Sequence, residues 1–350
     1  MNQMSELFEK AKDLLRQKDY IQAEEVLKKI LVKNPKHYNS IIQLGLLEKK
    51  KKEYEKSRNL FFKAVKYKPN FAIGYFYLGN LFLKEKNLEE AKKYFEKSVE
   101  LKPNFFKAQV QLGKTYTLLK YSSKSIESYK KALELRPNSI NTLLSLAKTL
   151  TKNPYEHEEA LNIYKKVLQI DPNSSQALNG IGICYVSKKD FDKAISFFRK
   201  AIELKPGLIS AHYNLGLSLL KIGEFEEGFQ EYDWRKYRKK RYVNQEIFKS
   251  LEWKGETLNS KTILVHDEQG YGDTVQFSRY IFRLCEEYEV NILFKTKEKL
   301  RYLYKNSPFK ILTEKSSIPQ HHFHSDMINL VKIYYLKTNE FLKEKDFLPS

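Results

Sequence analysis

Prolines recur through the first two thirds of this chain at a nearly fixed interval, and that interval restricts the fold more than any other feature. Pro35, Pro69, Pro103 and Pro137 are 34 residues apart, Pro172 follows after 35 and Pro206 after another 34. A period of this size marks a stack of supersecondary units, none of which can bury its apolar face alone. Between prolines the same order of residue types returns. One unit reads Tyr75, Leu78, Gly79, Phe82, Ala91, Phe95, Ser98, Pro103. The next reads Gln109, Leu112, Gly113, Tyr116, Ser125, Tyr129, Ala132, Pro137, and a later one Leu178, Ile181, Gly182, Tyr185, Ala194, Phe198, Ala201, Pro206. Spacings of three and four place such residues on one face of a helix, so each unit is predicted to be a helical hairpin.

The small residues explain how the hairpins close. Glycine inside a helix costs about 1 kcal/mol against alanine, so Gly79, Gly113, Gly182 and Gly216 are expected where a partner helix crosses at close range. Ala91, Ala160 and Ala194 are the matching small residues of the second helix, with Phe95, Tyr164 and Phe198 filling the gap toward the next unit. Proline then ends the second helix, because it lacks a donor and disfavours helix before it. This period and residue set resemble the tetratricopeptide repeat.

Seven repeats are expected, at about 4–37, 38–71, 72–105, 106–139, 140–174, 175–208 and 209–242. The fifth carries one inserted residue near Asn153-Pro154-Tyr155, assigned to its inter-helix turn, and the seventh lacks the closing proline, as a cap or a junction would. The fold class is therefore an all-α superhelical solenoid followed by a small α/β, Rossmann-like half-domain. A solenoid of this kind lines a concave groove with its first helices. Extrapolated from the packing positions, the groove candidates are Asn80, Lys84, Lys107, Gln111, Lys114, Asn141, Lys148 and Lys152. Lysines and amides converging on a trough suit a protein or peptide partner with acidic or carboxylate-ended segments. The competing reading is that these are ordinary solvated lysines.

Charge needs the same care. The chain of 350 residues has a formal charge of +20, with 41% hydrophobic and 30% charged residues. This is the balance of a folded protein, long enough for two units. Its lysines are interleaved with glutamates at helical spacing, which marks solvated helix faces rather than a phosphate-binding surface, and no specific nucleic-acid partner is expected. The longest apolar runs are too short for a membrane helix, and the charged start MNQMSELFEKAKDLL has no secretory h-region. Cys184 and Cys285 form neither a disulfide framework nor a metal spacing, which suits a cytoplasmic location.

Near residue 234 the composition changes. Arg235-Lys236-Tyr237-Arg238-Lys239-Lys240-Arg241 is read as the exposed end of the last helix running into a linker over 243–260, with a nucleic-acid or membrane-surface patch as the alternative. From Trp253 a polar lead-in precedes strand 262–266, a glycine turn at 267–273, a helix over 274–288, strand 290–294, helix 297–304 and strand 309–313. Strand and helix alternating in this way predict a parallel sheet. Gly270 and Gly272 lie between strand and helix, a common anion site, without the third glycine of a dinucleotide fingerprint. His321, His322, His324 and Asp326 invite a metal reading, but no other ligand cluster supports it, and neither a metal nor a cofactor is expected.

The strings GEFEEGFQEYDWR at 223–235 and WKGETLNSKTILVHDEQGYGDTVQFSRY at 253–280 resemble a bacterial family of repeat-linked glycosyltransferases. There, repeats lead into a two-lobed B-type fold similar to heptosyltransferases and O-linked N-acetylglucosamine transferases. The resemblance implies that 261–350 is the start of the first lobe, and that Asp273 is the carboxylate helping to deprotonate an acceptor. The same residue is read from pattern as the N-cap of the following helix. Glu268, Gln269, Gly270, Gly272 and Arg279 would form the acceptor or anion loop. The nucleotide-sugar site of that family lies mainly on a second lobe, so catalysis and nucleotide-sugar binding by these residues alone are not expected.

Overall fold

The computed structural model describes residues 3–237, 250–267, 270–313 and 315–342. The chain divides into two compact units, 1–206 and 207–350.

The first unit is six antiparallel helical hairpins. They are α1 (Gln3–Arg16) with α2 (Tyr20–Lys33), α3 (Tyr38–Lys50) with α4 (Tyr54–Tyr67), and α5 (Ala72–Lys84) with α6 (Leu88–Leu101). Then follow α7 (Phe106–Leu118) with α8 (Ser122–Leu135), α9 (Ile140–Leu150) with α10 (His157–Ile170), and α11 (Ser175–Ser187) with α12 (Phe191–Leu204). The glycines stand where the period demands. A Cβ on Gly79 would lie 2.7 Å from the Phe95 ring, and one on Gly113 would lie 2.8 Å from Tyr129, each ring coming from the same hairpin. The ring opposite glycine thus fills the hairpin itself. Tyr164 reaches forward as the sequence suggests, meeting Gly180 of the next hairpin. Two second-helix serines donate to first-helix carbonyls of the same hairpin: Ser57 to Gly45 at 2.7 Å and Ser125 to Gly113 at 2.8 Å.

The turns inside the hairpins also repeat. Lys18, Lys52, Lys86, Lys120 and Lys189 all adopt positive φ just past the first helix, the left-handed step that reverses the chain. Asp19, Asn87 and Asp190 follow and cap the second helix through their side chains. In the fifth hairpin the inserted residue is absorbed by a 3-10 turn, Pro154–Glu156. Consecutive first helices approach one another directly, α5 to α7, α7 to α9 and α9 to α11, which places first helices on the inner side of this unit.

The second unit starts with the seventh hairpin, α13 (Ile209–Ile222) and α14 (Phe225–Tyr232), followed by a 3-10 turn, Asp233–Tyr237. Then come β1 (Leu251–Glu252), β2 (Lys261–His266), α15 (Tyr271–Phe277), α16 (Arg279–Glu287), β3 (Val290–Lys295), a 3-10 segment Glu298–Tyr304, β4 (Lys310–Leu312), β5 (Phe323–Asp326) and α17 (Met327–Thr338). All neighbouring strands are parallel, in the order β1-β5-β2-β3-β4. Ile263, Val265, Ile292 and Phe294 build one core with α16, α17 and Phe229 of α14, while Leu264, Leu293 and Leu312 face the other side.

Phe229 of the seventh hairpin is buried in the core of the sheet unit. Two expectations change here. The segment read as linker and polar lead-in is built into that unit from 251 on: β1 pairs with β5, and Trp253 and Leu258 are buried. The stretch 297–304 is 3-10 rather than α-helical. Among the described residues no helix is long and apolar enough to cross a membrane.

Candidate functional site

The inner face of the first unit is organised by register. Asn80, Lys114 and Lys148 are separated by 34 residues and hold equivalent positions on α5, α7 and α9. So do Ile73, Lys107 and Asn141 in a second row; in a third, Lys84 and Leu118 end α5 and α7, and Lys152 stands in the turn just past α9. Seven of the eight sequence-selected groove residues therefore fall in these three rows of the repeat. Gln111 lies off those rows, half-buried, its side-chain oxygen enclosed and without a partner among the described residues. Asn80 is also partly spent, since its amide donates to the Phe76 carbonyl at 2.8 Å. Lys84 lies over the Tyr54 ring at 4.0 Å and donates to its hydroxyl.

Charge distinguishes this face from the rest. Helices α5, α7, α9 and α11 contain no aspartate or glutamate. The second helices hold the carboxylates and pair them with lysines: Lys97 with Glu100 at 2.7 Å, Lys131 with Glu127 at 2.7 Å, and Lys130 with Glu159 at 2.8 Å. Among the described residues Lys107, Lys114, Lys148 and Lys152 have no such partner. Exposed pairs contribute little stability, but they cancel field, and the inner face is left net positive. Lys49 of α3, which sequence reasoning missed, registers that field. Burial first, and then the charge of Lys84, push its ammonium below the usual lysine range. Its equivalence in register to Leu83 and Thr117, both half-buried first-helix residues, was the available signal.

In the second unit, Gly270 is the N-cap of α15, with extended backbone, and Asp273 is the third helical residue, exposed. Its reading as the N-cap is therefore corrected: the chain turns into the helix at the glycine, three residues before the carboxylate. The turn is held instead by Asp267, which accepts from Thr296 at 2.8 Å and from the Lys297 ammonium at 3.0 Å. Gly272 is exposed, and Glu268 and Gln269 lie outside the described residues. Arg279 donates to the Leu342 carbonyl at 2.8 Å. Asp273 and Arg279 share the lining of one cleft of about 480 Å³.

The basic run is not an exposed helix end where it is described. Arg235 is 1% exposed and makes ion pairs with Asp233 and Asp326, both at 2.7 Å. Lys236 pairs with Glu252, and Lys332 with Asp233. Burial acts to raise the Asp326 carboxyl, but Arg235 and Lys236 outweigh it and hold it below the usual carboxylate range. Residues 238–241 lie outside the described residues. The histidines are engaged separately: His322 accepts from the Thr262 amide at 3.0 Å, and His324 meets the Ser250 hydroxyl at 3.1 Å.

Two family models match the solenoid: the tetratricopeptide repeat over 72–105 and the TPR domain of cytochrome c-type biogenesis protein H over 110–207. These hairpins are tetratricopeptide repeats. A stretch of 49 residues is 43% identical to the E3 ubiquitin-protein ligase CHIP of Arabidopsis thaliana, covering 14% of this chain and 18% of that relative. Among solved structures, the tetratricopeptide protein YrrB superposes with a TM-score of 0.51 at 23% identity, over 54% of this chain and 96% of that one. PilF of Pseudomonas aeruginosa gives 0.51 at 20% identity, over 59% and 94%. The C-terminal part of a TPR protein from Cytophaga hutchinsonii gives 0.52 at 16% identity, over 68% and 97%. At these identities the likeness concerns the tetratricopeptide fold.

Proposed function

We propose that the tetratricopeptide array is a protein-interaction scaffold that takes an extended acidic segment of a partner along its first helices. The observation that carries this is the complete lack of carboxylates on α5, α7, α9 and α11, while Lys84, Lys107, Lys114, Lys148 and Lys152 stand on the inner rows. Apolar members of the same rows, Ile73 at 36% and Leu118 at 50% exposure, offer contact area between the charges. YrrB, similar in fold, is described as having an unusual peptide-binding site, which supports a peptide as the occupant. Buried or partly buried charge complementarity gives specificity and speeds association. Charge reversal at Lys114 and Lys148 together is expected to weaken capture of an acidic peptide about tenfold or more, roughly 1.4 kcal/mol. Unchanged capture would refute the groove.

A second reading concerns the α/β unit, as the first part of a nucleotide-sugar glycosyltransferase lobe. It is favoured by the parallel order β1-β5-β2-β3-β4, whose reversal between β2 and β5 is where open sheets of this kind bind ligands beyond their strand ends. In this reading Asp273 is the acceptor base, and Gly270, Gly272, Arg279, Glu268 and Gln269 belong to its loop. Saturable nucleotide-sugar binding lost in Asp273→Ala would support this reading, and absence of binding would leave the scaffold alone.

A further inference from the structure

A cleft of about 660 Å³ opens between the second helices α6 and α8 of neighbouring repeats, with Gln109, Leu112 and Tyr116 of α7 as its floor. By helical period those three residues lie on the face of α7 opposite Lys107 and Lys114, so the cleft is separate from the lysine rows. Gln109 breaks the repeat here. In the other five hairpins of the unit its register position holds Leu7, Ile41, Tyr75, Leu143 and Leu178, yet Gln109 is only 5% exposed. Its amino group donates to the Pro103 carbonyl at 3.1 Å, and because a carbonyl can only accept, the orientation of the amide is fixed. The side-chain oxygen is left without a partner among the described residues and, unlike that of Gln111, is not sealed off. Burying an amide whose acceptor is unmet costs free energy that leucine avoids, and a local rule broken in this way marks a site.

Two carboxylates converge over the same floor. Tyr116 donates to Glu96 of α6 at 2.6 Å. Burial first, then Glu96 and then Glu127 of α8, push the Tyr116 hydroxyl above the usual tyrosine range, so acids from both second helices face it. The whole lining carries four glutamates and two lysines, a local excess of negative charge in a chain of formal charge +20. Neither lysine closes the cleft: Lys131 pairs with Glu127 at 2.7 Å in an exposed bridge, and Lys124 lies over the Tyr116 ring at 5.7 Å. An exposed bridge contributes little and exchanges readily. We propose that this cleft is a second docking site, which takes an arginine side chain from a basic segment of a protein partner. A guanidinium presents five donors in a flat fork and needs acceptors from several directions. Glu96, Glu127 and the Gln109 oxygen supply them, and Val99 and Leu112 offer apolar wall to the stem. A neutral apolar side chain would strip water from the carboxylates without replacing it. The field of the whole chain opposes a basic peptide, so its binding reports these local acids rather than net charge.

The test is fluorescence anisotropy of the full chain with a short labelled arginine–glycine peptide and with its citrulline counterpart, which keeps the side-chain shape and loses the charge. The arginine peptide is expected to bind saturably, and the citrulline peptide at least about tenfold more weakly. Glu96→Gln with Glu127→Gln, and separately Gln109→Leu, each weaken the arginine peptide several-fold. Because leucine is what the next two repeats carry, Gln109→Leu does not lower the thermal midpoint read by circular dichroism. Equal affinity for the two peptides, no saturable binding, or an affinity indifferent to these substitutions would overturn the proposal. So would a lower midpoint in Gln109→Leu, which would make the amide a structural group, or a dimer of the chain that the peptide dissociates, since the occupant would then be a second copy.

Discussion

His266 shows how much one side chain can set in this molecule. It ends β2, and its burial pushes the imidazole down to about 4, an effect opposed by Asp326 and reinforced by His324. The folded state therefore keeps His266 neutral where the unfolded chain takes up a proton. Its contribution is present above the ordinary histidine range, near pH 6.5, and is lost as pH falls toward 4. A shift of this size corresponds to about 3 kcal/mol. The depressed Asp326 carboxyl acts in the same direction at still lower pH, since its benefit disappears as it is protonated. Both tryptophans, Trp234 and Trp253, lie in the second unit, so tryptophan fluorescence follows that unit alone. Urea midpoints read this way are expected to fall steeply between pH 7 and 4, and to fall less in His266→Gln; a midpoint flat across that range would contradict the assignment. The repeat glycines make the opposite point, being plain in the sequence. A glycine inside a strongly periodic helix has few explanations besides close approach, and the rings of Phe95 and Tyr129 supply it. Nothing in the sequence marks His266, whose environment is assembled from β5 and the 3-10 turn after α14.

At the scale of elements, legibility follows the range of the interactions. Helices α1 to α14 could be read because each is fixed by contacts within one period and by local turn chemistry, down to the lysine with positive φ in five turns. The 3-10 turn Asp233–Tyr237 could not. As sequence it begins a run of cations, and runs of cations are usually solvated. Here Arg235 is drawn under the surface by Asp326, a residue 91 positions away, and the guanidinium also faces the Tyr232 ring at 4.9 Å. Removing one member of a buried pair leaves the other charge without compensation. Arg235→Ala is accordingly expected to cost about 3–5 kcal/mol in the fluorescence-monitored unfolding of the second unit. A loss under about 1 kcal/mol, typical of an exposed pair, would show that the turn is not the lock described. Strand β1 was missed for the same reason: two residues carry no periodicity, and its pairing with β5 joins positions 72 apart.

For the molecule as a whole, the account rests on a separation of charge that the net value of +20 conceals. Composition alone suggested lysines spread evenly over solvated helices. The fold sorts them: second helices carry lysine and carboxylate together, while the first helices α5, α7 and α9 carry lysine with no carboxylate, and α11 carries neither. Once the period is known, register alone assigns seven of the eight groove candidates to three rows. The α/β unit was legible as a parallel sheet, but its pocket was not, since its walls come from elements separated by up to 124 positions, Leu217 to Phe341. The central claim is best tested by titrating the full chain with a glutamate-rich peptide and its glutamine counterpart, at low and at physiological salt. The account predicts that only the acidic peptide binds, more weakly as salt rises, and that Lys114→Glu with Lys148→Glu abolishes the difference. Equal binding of the two peptides, or an affinity insensitive to both salt and charge reversal, would contradict it.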